Sequence, residues 1–487
     1  MTGFVRTMNT WWLTKVTIFA LLLLLSPQHV LGAPAAVSNS TGRRRISINT
    51  SWRFSRFAIN PDSLSYATLK PYMLPSGNDF ILAGTQHARP SGTAPGSSIT
   101  YIQSSFDDST WETVTLPHDW AQKGPFNAPG ISGGMGKKPT NGVGWYRRIV
   151  TMDASDKSKY TFLDIDGAMS YASVWLNGNL VGGWPYGYAS FRLDLTSYMN
   201  VGDNLLAIRL DNPVDSSRWY PGAGLYRNVW LVTVDTIHVG QYGTFITTPS
   251  VSAQTATISL AVFVNNKGTT SRDIEVLAEV YEIDSATGKA GAAVVAAFPA
   301  AAATMAAGST SSIDSSAMVT NPQLWGPPPA QTPNLRLDQW QRCSLGAAFH
   351  IRAAERQLQM LQDMRCNALR MSHNPPAPEL LEIADRLGFM VLDEIFDSWT
   401  SSKTTNDFHT IWADWHEPDL RSFIHRDRNH PSIIAWSFGN EIVDQQESSM
   451  GGTVAQPMHD WIHAEDGTRP TTSSMNIATA GSSFANV

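Results

Sequence analysis

The chain has 487 residues, 42% of them hydrophobic and 16% charged, with a formal net charge of −6. That length is too great for one hydrophobic core, so roughly two to four domains are expected. The composition excludes wholesale disorder, and the mild negative charge argues against nucleic acid or an anionic membrane as a partner.

The N-terminus reads as a secretory signal over residues 1–33. Arg6 and Lys15 precede an apolar run, residues 16–25, which Ser26-Pro27 breaks before the small residues Gly32 and Ala33. A positive start, a short apolar stretch and a small-residue cleavage zone predict a secreted, extracellular protein. The run is too short for a comfortable membrane span. Asn39 and Asn49 each open an Asn-x-Ser/Thr acceptor, which suits a secreted glycoprotein. Two cysteines, Cys343 and Cys366, make no disulfide framework. No Cys/His cluster has the spacing of metal ligands.

Residues 46–240 show short alternating runs separated by Gly, Pro, Asn and Asp, the pattern of a β-sandwich. Residues 172–176 and 179–181 flank Asn177-Gly178, a strong hairpin signal because both turn positions need positive φ. Loops carry Pro117-His118-Asp119-Trp120 and Arg218-Trp219-Tyr220-Pro221-Gly222. Such Gly- and Trp-rich loops suit carbohydrate binding, but anchoring of the loops by their aromatics explains most of these residues. From about residue 241 to Trp325 a second β segment follows, of a length that suits a small immunoglobulin-like sandwich. Its Ala-rich patch, residues 290–307, reads as compositional drift in place of crisp strands.

Gly326-Pro327-Pro328-Pro329 marks a boundary, and the period changes beyond it. Ile351, Ala354, Leu358 and Leu361 recur at helical spacing. Residues 367–372 read as a strand, residues 378–388 as a helix with Pro at its start and Gly at its stop, and residues 389–392 as a strand ending in Asp393-Glu394. Further helices are expected near residues 419–428 and 457–464, with a strand beginning at Arg469-Pro470-Thr471-Thr472. Alternating helices and strands with short connections predict βα units and a parallel sheet. Between those two helices lies Asn429-His430-Pro431-Ser432, then a mostly apolar run, residues 433–438, with Ser437 as its one small polar residue, and then Gly439-Asn440-Glu441. A short apolar run reads as a strand buried on both faces. Three successive strands thus end in polar residues: Arg370 to Asn374, Asp393-Glu394 and Asn440-Glu441. If adjacent and parallel, they bring those groups to one rim, as a barrel active site requires.

These stretches, with Arg352-Ala353-Ala354-Glu355-Arg356, Arg426-Asp427-Arg428, Leu116-Pro117-His118-Asp119-Trp120 and Val174-Trp175-Leu176-Asn177-Gly178, closely resemble glycoside hydrolase family 2, the β-galactosidase and β-glucuronidase family. The resemblance implies a jelly-roll sugar-binding domain (46–240), an incomplete immunoglobulin-like sandwich (241–330) and part of a (β/α)8 barrel (342–487). It implies retaining hydrolysis of terminal β-D-galactosides or related β-glycosides, with a carbohydrate as substrate. That chemistry uses two carboxylates about 5 Å apart. Glu441 matches the general acid/base, and Asn440 the residue that hydrogen-bonds the sugar 2-hydroxyl. Arg370, His373 and Asn374 match the polar rim, which Glu394 joins. Asp215, in the loop before Trp219, is expected to reach the site from the first domain.

The departures matter equally. The family's nucleophilic Glu lies on a later strand, and none stands after Asp466 to fill that role; the nucleophile is absent from the chain. About four barrel strands are legible where the fold has eight, and residues 326–344 hold no strand-like run. Relative to the family the chain reads as C-terminally truncated and internally deleted, and it is expected not to hydrolyse glycosides alone. Glu394 reads as a structural partner for Arg370 or His373 and not as a substitute nucleophile. Some family members use a divalent cation beside the acid/base, but residues 395–399 present no evident ligand set, so neither metal nor other cofactor is expected. The competing reading is a non-catalytic, lectin-like carbohydrate-binding protein.

Overall fold

The computed structural model describes residues 15–16, 24–26, 42–81, 86–126, 138–283, 290–327, 346–446 and 451–476. Two antiparallel sheets form the first unit. One orders Phe191–Asp194, Tyr160–Ile165, Val229–Val234 and Arg43–Ser47. The other orders Glu112–Val114, Trp52–Phe57, Gly142–Met152, Gly202–Asn212, Ala172–Leu176 and Asn179–Trp184. Trp52, Trp145, Trp175 and Trp184 are fully buried, so the aromatic richness of this region is mostly core. The hairpin turns at Asn177 (φ 51°) and Gly178 (φ 79°), as the Asn-Gly pair predicts. Anchoring explains the first Trp loop: Trp120 is buried, His118 meets the Tyr146 hydroxyl at 2.8 Å, and the Asp119 carboxylate caps Ala121.

The second unit packs its own core. Thr255–Asn266 alternates strictly, turning Ile258, Leu260, Val262 and Val264 inward, and pairs with Ile237–Val251 and Thr310–Thr320. The alanine patch is ordered, contrary to the sequence reading: Ala290–Ala297 pairs with Glu279–Ile283, and Ala301–Met305 with Arg272–Leu277. Ladder hydrogen bonds come from the backbone, so alanine can hold a strand position when its neighbours supply the core. Within the stretch read as a signal, Lys15–Val16 pairs with Trp325–Leu324, and Leu24–Ser26 with Leu277–Glu275; the remainder of residues 1–33, Asn39 and Cys343 lie outside the described residues. So do most of residues 326–344.

The third unit alternates helix and strand: Ile351–Asp363, Ala368–Arg370, Pro378–Leu387, Met390–Glu394, Trp412–Asp427, Ile433–Asn440, Gly451–Glu465 and Thr471–Ser474. Its four strands are parallel and lie side by side in chain order. Pro378 opens its helix, and Gly388, at φ 76°, closes it with a left-handed cap. Two helix starts differ from the sequence reading. Trp412–Asp427 and Gly451–Glu465 begin well before residues 419 and 457, with Pro418 and Pro457 inside them. Proline usually marks the first turn because it lacks an N–H, but here each helix is held by a buried face, Trp412, Trp415 and Leu420 in one and Ala455, Met458 and Ile462 in the other. No described helix is long and apolar enough to cross a membrane.

One core runs continuously from the sandwich into the parallel sheet. Side chains cross the junction as well. Trp184 Nε1 donates to Asp419 at 2.7 Å, Trp415 Nε1 to the Tyr66 hydroxyl at 2.8 Å, and Arg227 to the Pro375 carbonyl at 2.7 Å. Asp119 also accepts from Tyr220 and from the Ala347 backbone, tying the sandwich to the start of the helical region. The rim of the parallel sheet is therefore fixed against the sandwich loops.

Candidate active site

The parallel register places the strand ends together. Arg370 stands opposite Leu392, Asp393 opposite Trp436, and Glu394 opposite Ser437. A slip of one residue would turn these side chains to the other face. Glu394 is completely buried and is the centre of the cluster. Arg370 donates to both of its oxygens, Nε to Oε2 at 3.1 Å and Nη2 to Oε1 at 3.0 Å. His373 Nδ1 lies 2.9 Å from Oε1, and the Ser437 hydroxyl donates to Oε2 at 2.6 Å. Ser437, the one polar residue of its strand, is thus explained by its neighbour. With both oxygens engaged and no access to solvent, Glu394 binds and orients the rim and is not available to attack a substrate.

Arg370 Nη2 also donates to Asn440 Oδ1 at 2.7 Å, while Asn440 Nδ2 donates to Asp397 at 2.8 Å. The amide is held at both ends, which fixes its orientation. Burial alone would raise the Asp397 carboxyl, but Lys403, Asn440 and Arg218 outweigh it and hold it below the usual carboxylate range. Lys403 Nζ lies 2.8 Å from Asp397, and burial lowers its own pKa. Asn374 accepts from the Tyr186 hydroxyl at 3.0 Å, so it faces the sandwich.

Glu441 follows Asn440 with φ 46°, in the left-handed region that a non-glycine residue seldom adopts. Its N–H donates to the Ser474 carbonyl at 2.7 Å, which holds the turn. Such backbone strain clusters at functional sites. Unlike Glu394, its carboxylate is open, with the side chain 37% exposed, and its nearest cation is Arg218 Nη1 at 3.6 Å. Arg218 comes from the sandwich and also donates to Asp397 at 3.0 Å.

The structure therefore brings together Arg370, His373, Glu394, Asn440 and Glu441. Asp215 is placed differently: its carboxylate accepts from the Thr405 hydroxyl at 2.7 Å, and its carbonyl from Asn406 at 3.0 Å. It fastens the sandwich loop to the segment that carries Lys403. Sequence reasoning missed Arg218, Asp397, Lys403 and Ser437 as members of the cluster. Position three residues after Glu394 was the available signal for Asp397; Lys403 had none. Glu465 and Asp466 serve elsewhere, the first with Arg421, His425 and Arg428, the second with Arg469 and Trp436. Among the described residues no three His, Cys, Asp or Glu side chains cluster to hold a metal ion.

Comparison with known proteins matches residues 94–235 to the sugar binding domain of glycosyl hydrolases family 2, residues 237–335 to a second domain of that family, and residues 340–484 to its TIM barrel domain. Beta-galactosidase BoGH2A of Bacteroides ovatus is 37% identical over 411 residues, covering 74% of this chain and 46% of its own. A beta-glucuronidase of Formosa agariphila is 23% identical over 404 residues, covering 69% and 40%. The crystal structure of a glycosyl hydrolase family 2 member from Bacteroides cellulosilyticus superposes with a TM-score of 0.72 at 27% identity, over 91% of this chain and 57% of that one. The chain thus spans about half the length of the curated relatives it matches. Three successive domains of one family, together spanning most of the chain, place it in glycosyl hydrolase family 2.

Proposed function

We propose that this chain carries the acid/base half of a retaining β-glycosidase for terminal β-D-galactosides, with Glu441 as the general acid/base. The observation that supports this most is the contrast between two carboxylates on one rim: Glu394, closed and saturated with donors, and Glu441, open and adjoining an oriented amide. A general acid must reach the leaving oxygen and be partly desolvated, so that it keeps its proton near the working pH; the Glu441 side chain is 37% exposed. Asn440 is 1% exposed and held at both ends by Arg370 and Asp397, so its remaining amide N–H is the group assigned to the sugar 2-hydroxyl, a contact that strengthens as the oxocarbenium-like transition state forms. Galactosides are preferred to glucuronides on a narrow margin: the relative with 37% identity is named a beta-galactosidase, and a putative beta-glucuronidase of Formosa agariphila follows at 32%.

The retaining mechanism also needs a carboxylate nucleophile about 5 Å from the acid. Among the described residues the other rim carboxylates, Glu394 and Asp397, are each occupied by neighbouring donors, so the 487-residue chain by itself binds β-galactosides without turning them over. The test is calorimetric titration of the purified chain with galactose, beside an assay on 4-nitrophenyl β-D-galactoside. The expected result is galactose binding weakened about tenfold or more in Asn440→Ala, corresponding to ~1.4 kcal/mol, and no release of nitrophenol. Turnover that disappears in Glu441→Gln would keep the acid/base role and overturn the inactivity. Turnover that survives Glu441→Gln, or failure to bind any β-glycoside, would overturn the assignment.

A further inference from the structure

Three buried N–H groups around the cluster have no acceptor among the described residues: Arg218 Nε, Trp219 Nε1 and Arg370 Nη1. Leaving a buried donor unsatisfied costs roughly 1–3 kcal/mol, so several in one place point to an acceptor that binds there. The side chains that carry these donors are neighbours. Arg218 lies over the Trp219 ring at 5.4 Å, the Trp219 ring is 6.0 Å from that of His373, and His373 is 3.4 Å from Arg370 Nη2. Two of the three belong to the sandwich loop and not to the parallel sheet. That loop is held in place: Asp215 binds Thr405, and Tyr220 binds Asp119. Next to Arg218 a shallow cleft of ≈ 70 Å³ opens between the units, lined by Ser216, Ser217, Asn374, Asp397 and Asn406 among others. Its volume suits two or three hydroxyl- or water-sized groups, and its lining sets these polar side chains beside the apolar Pro185, Pro221, Phe408 and Ile411.

We propose that Arg218 and Trp219 form the leaving-group subsite of this site, and that the ligand they read is a second, hydroxylated sugar and not a flat aryl group. The inference rests on the assignment of Glu441 as general acid. A general acid protonates the oxygen between the two halves of the substrate, so its carboxylate marks the junction. Asn440 and Arg370 approach that junction from the parallel strands, where the galactosyl ring is read. Arg218 approaches it from the other domain, 3.6 Å from Glu441. Its Nη atoms are engaged by Asp397 and Glu441, which leaves the Nε N–H to be shared with a ligand oxygen. The indole N–H is a donor only, and sugar hydroxyls supply the acceptors that a nitrophenyl ring lacks along its faces. The half-buried indole also offers the apolar face of a Trp to the sugar's C–H surface.

Calorimetry on the full chain separates this from the parent assignment by comparing galactose with lactose, a β-galactoside whose leaving group is glucose. Lactose is expected to bind at least tenfold more tightly than galactose. Trp219→Phe, which removes the N–H and keeps the ring system small and apolar, and Arg218→Met are each expected to cut lactose affinity five- to twentyfold. Galactose affinity should change less than twofold in Trp219→Phe, and in Arg218→Met, which also frees Asp397, it should fall less than lactose affinity does. Glu441→Gln should keep the preference for lactose. Thermal melts of the variants within a few degrees of the parent establish that they fold. Equal losses for galactose and lactose would assign these residues to the galactosyl side and overturn the proposal. Galactose binding with no advantage for lactose would overturn it and spare the acid/base reading. Absence of binding to either sugar would overturn both.

Discussion

Glu394→Gln exchanges one oxygen for an amide nitrogen in a side chain with 0% exposure. In the parent, Oε1 faces Arg370 and His373, and Oε2 faces Arg370 and Ser437. Wherever the new NH2 is placed it meets the Arg370 guanidinium, a donor against a donor. At least one hydrogen bond to a charged group is lost, worth about 1.5–3 kcal/mol, and Arg370, whose side chain is 8% exposed, becomes a buried cation without its counter-charge. Breaking a buried pair in this way typically costs about 3–5 kcal/mol, which we take as the expected destabilisation. It should appear in urea unfolding followed by the fluorescence of Trp399 and Trp436, both fully buried in the parallel-sheet unit. A double-mutant cycle with Arg370→Met sharpens the reasoning, because removing both charges should recover part of the loss and give a coupling of more than about 1 kcal/mol. A single-variant cost below about 1 kcal/mol, or additive effects in the cycle, would refute the view that Glu394 is the hub of the rim. Since Arg370 also holds Asn440, galactose binding should weaken in Glu394→Gln even where the protein stays folded.

Two further expectations concern buried charge. Burial pushes the His238 imidazole down to about 4, below its ordinary 6.5, although the Asp235 carbonyl partly offsets this. The folded state therefore refuses a proton that the unfolded chain accepts; stability is intact above about pH 6.5 and falls as the pH drops toward 4, by ~1.4 kcal/mol per pH unit for this group alone. In His238→Gln that increment should vanish, so the stability curves of parent and variant should converge between pH 7 and 4; parallel curves would contradict the assignment. Behind the rim, complete burial and the neighbouring Asp427 charge push the Asp393 carboxyl well above its usual range. Asp393→Asn, a neutral isostere, should change stability by less than about 1 kcal/mol, whereas Asp427→Asn, which strips Arg426 of a two-pronged ion pair, should cost about 3–5 kcal/mol. Urea midpoints measured side by side decide it, and equal costs would refute the unequal roles of the two carboxylates.

Periodicity carried the architecture because its signals are local. The Asn177-Gly178 turn and the Pro378 to Gly388 punctuation each act through neighbours in the chain, and both stand in the structure as read. Where a local rule was overridden, as at Pro418 and Pro457, a buried helix face outweighed the preference of proline for the first turn. The alanine strands were illegible for the opposite reason: their order comes from partners and not from their own side chains.

The candidate site divides along the same line. The sequence by itself determined that Arg370, Glu394, Asn440 and Glu441 stand at the ends of successive strands, since strand–helix alternation and chain order dictate a shared rim. Only the tertiary structure decided which carboxylate is closed and which is open, because burial and hydrogen-bond saturation depend on side chains 24 to 43 positions away in the chain. It alone brought Arg218 from the sandwich to within 3.6 Å of Glu441, across more than two hundred residues, through a domain contact that no local pattern encodes.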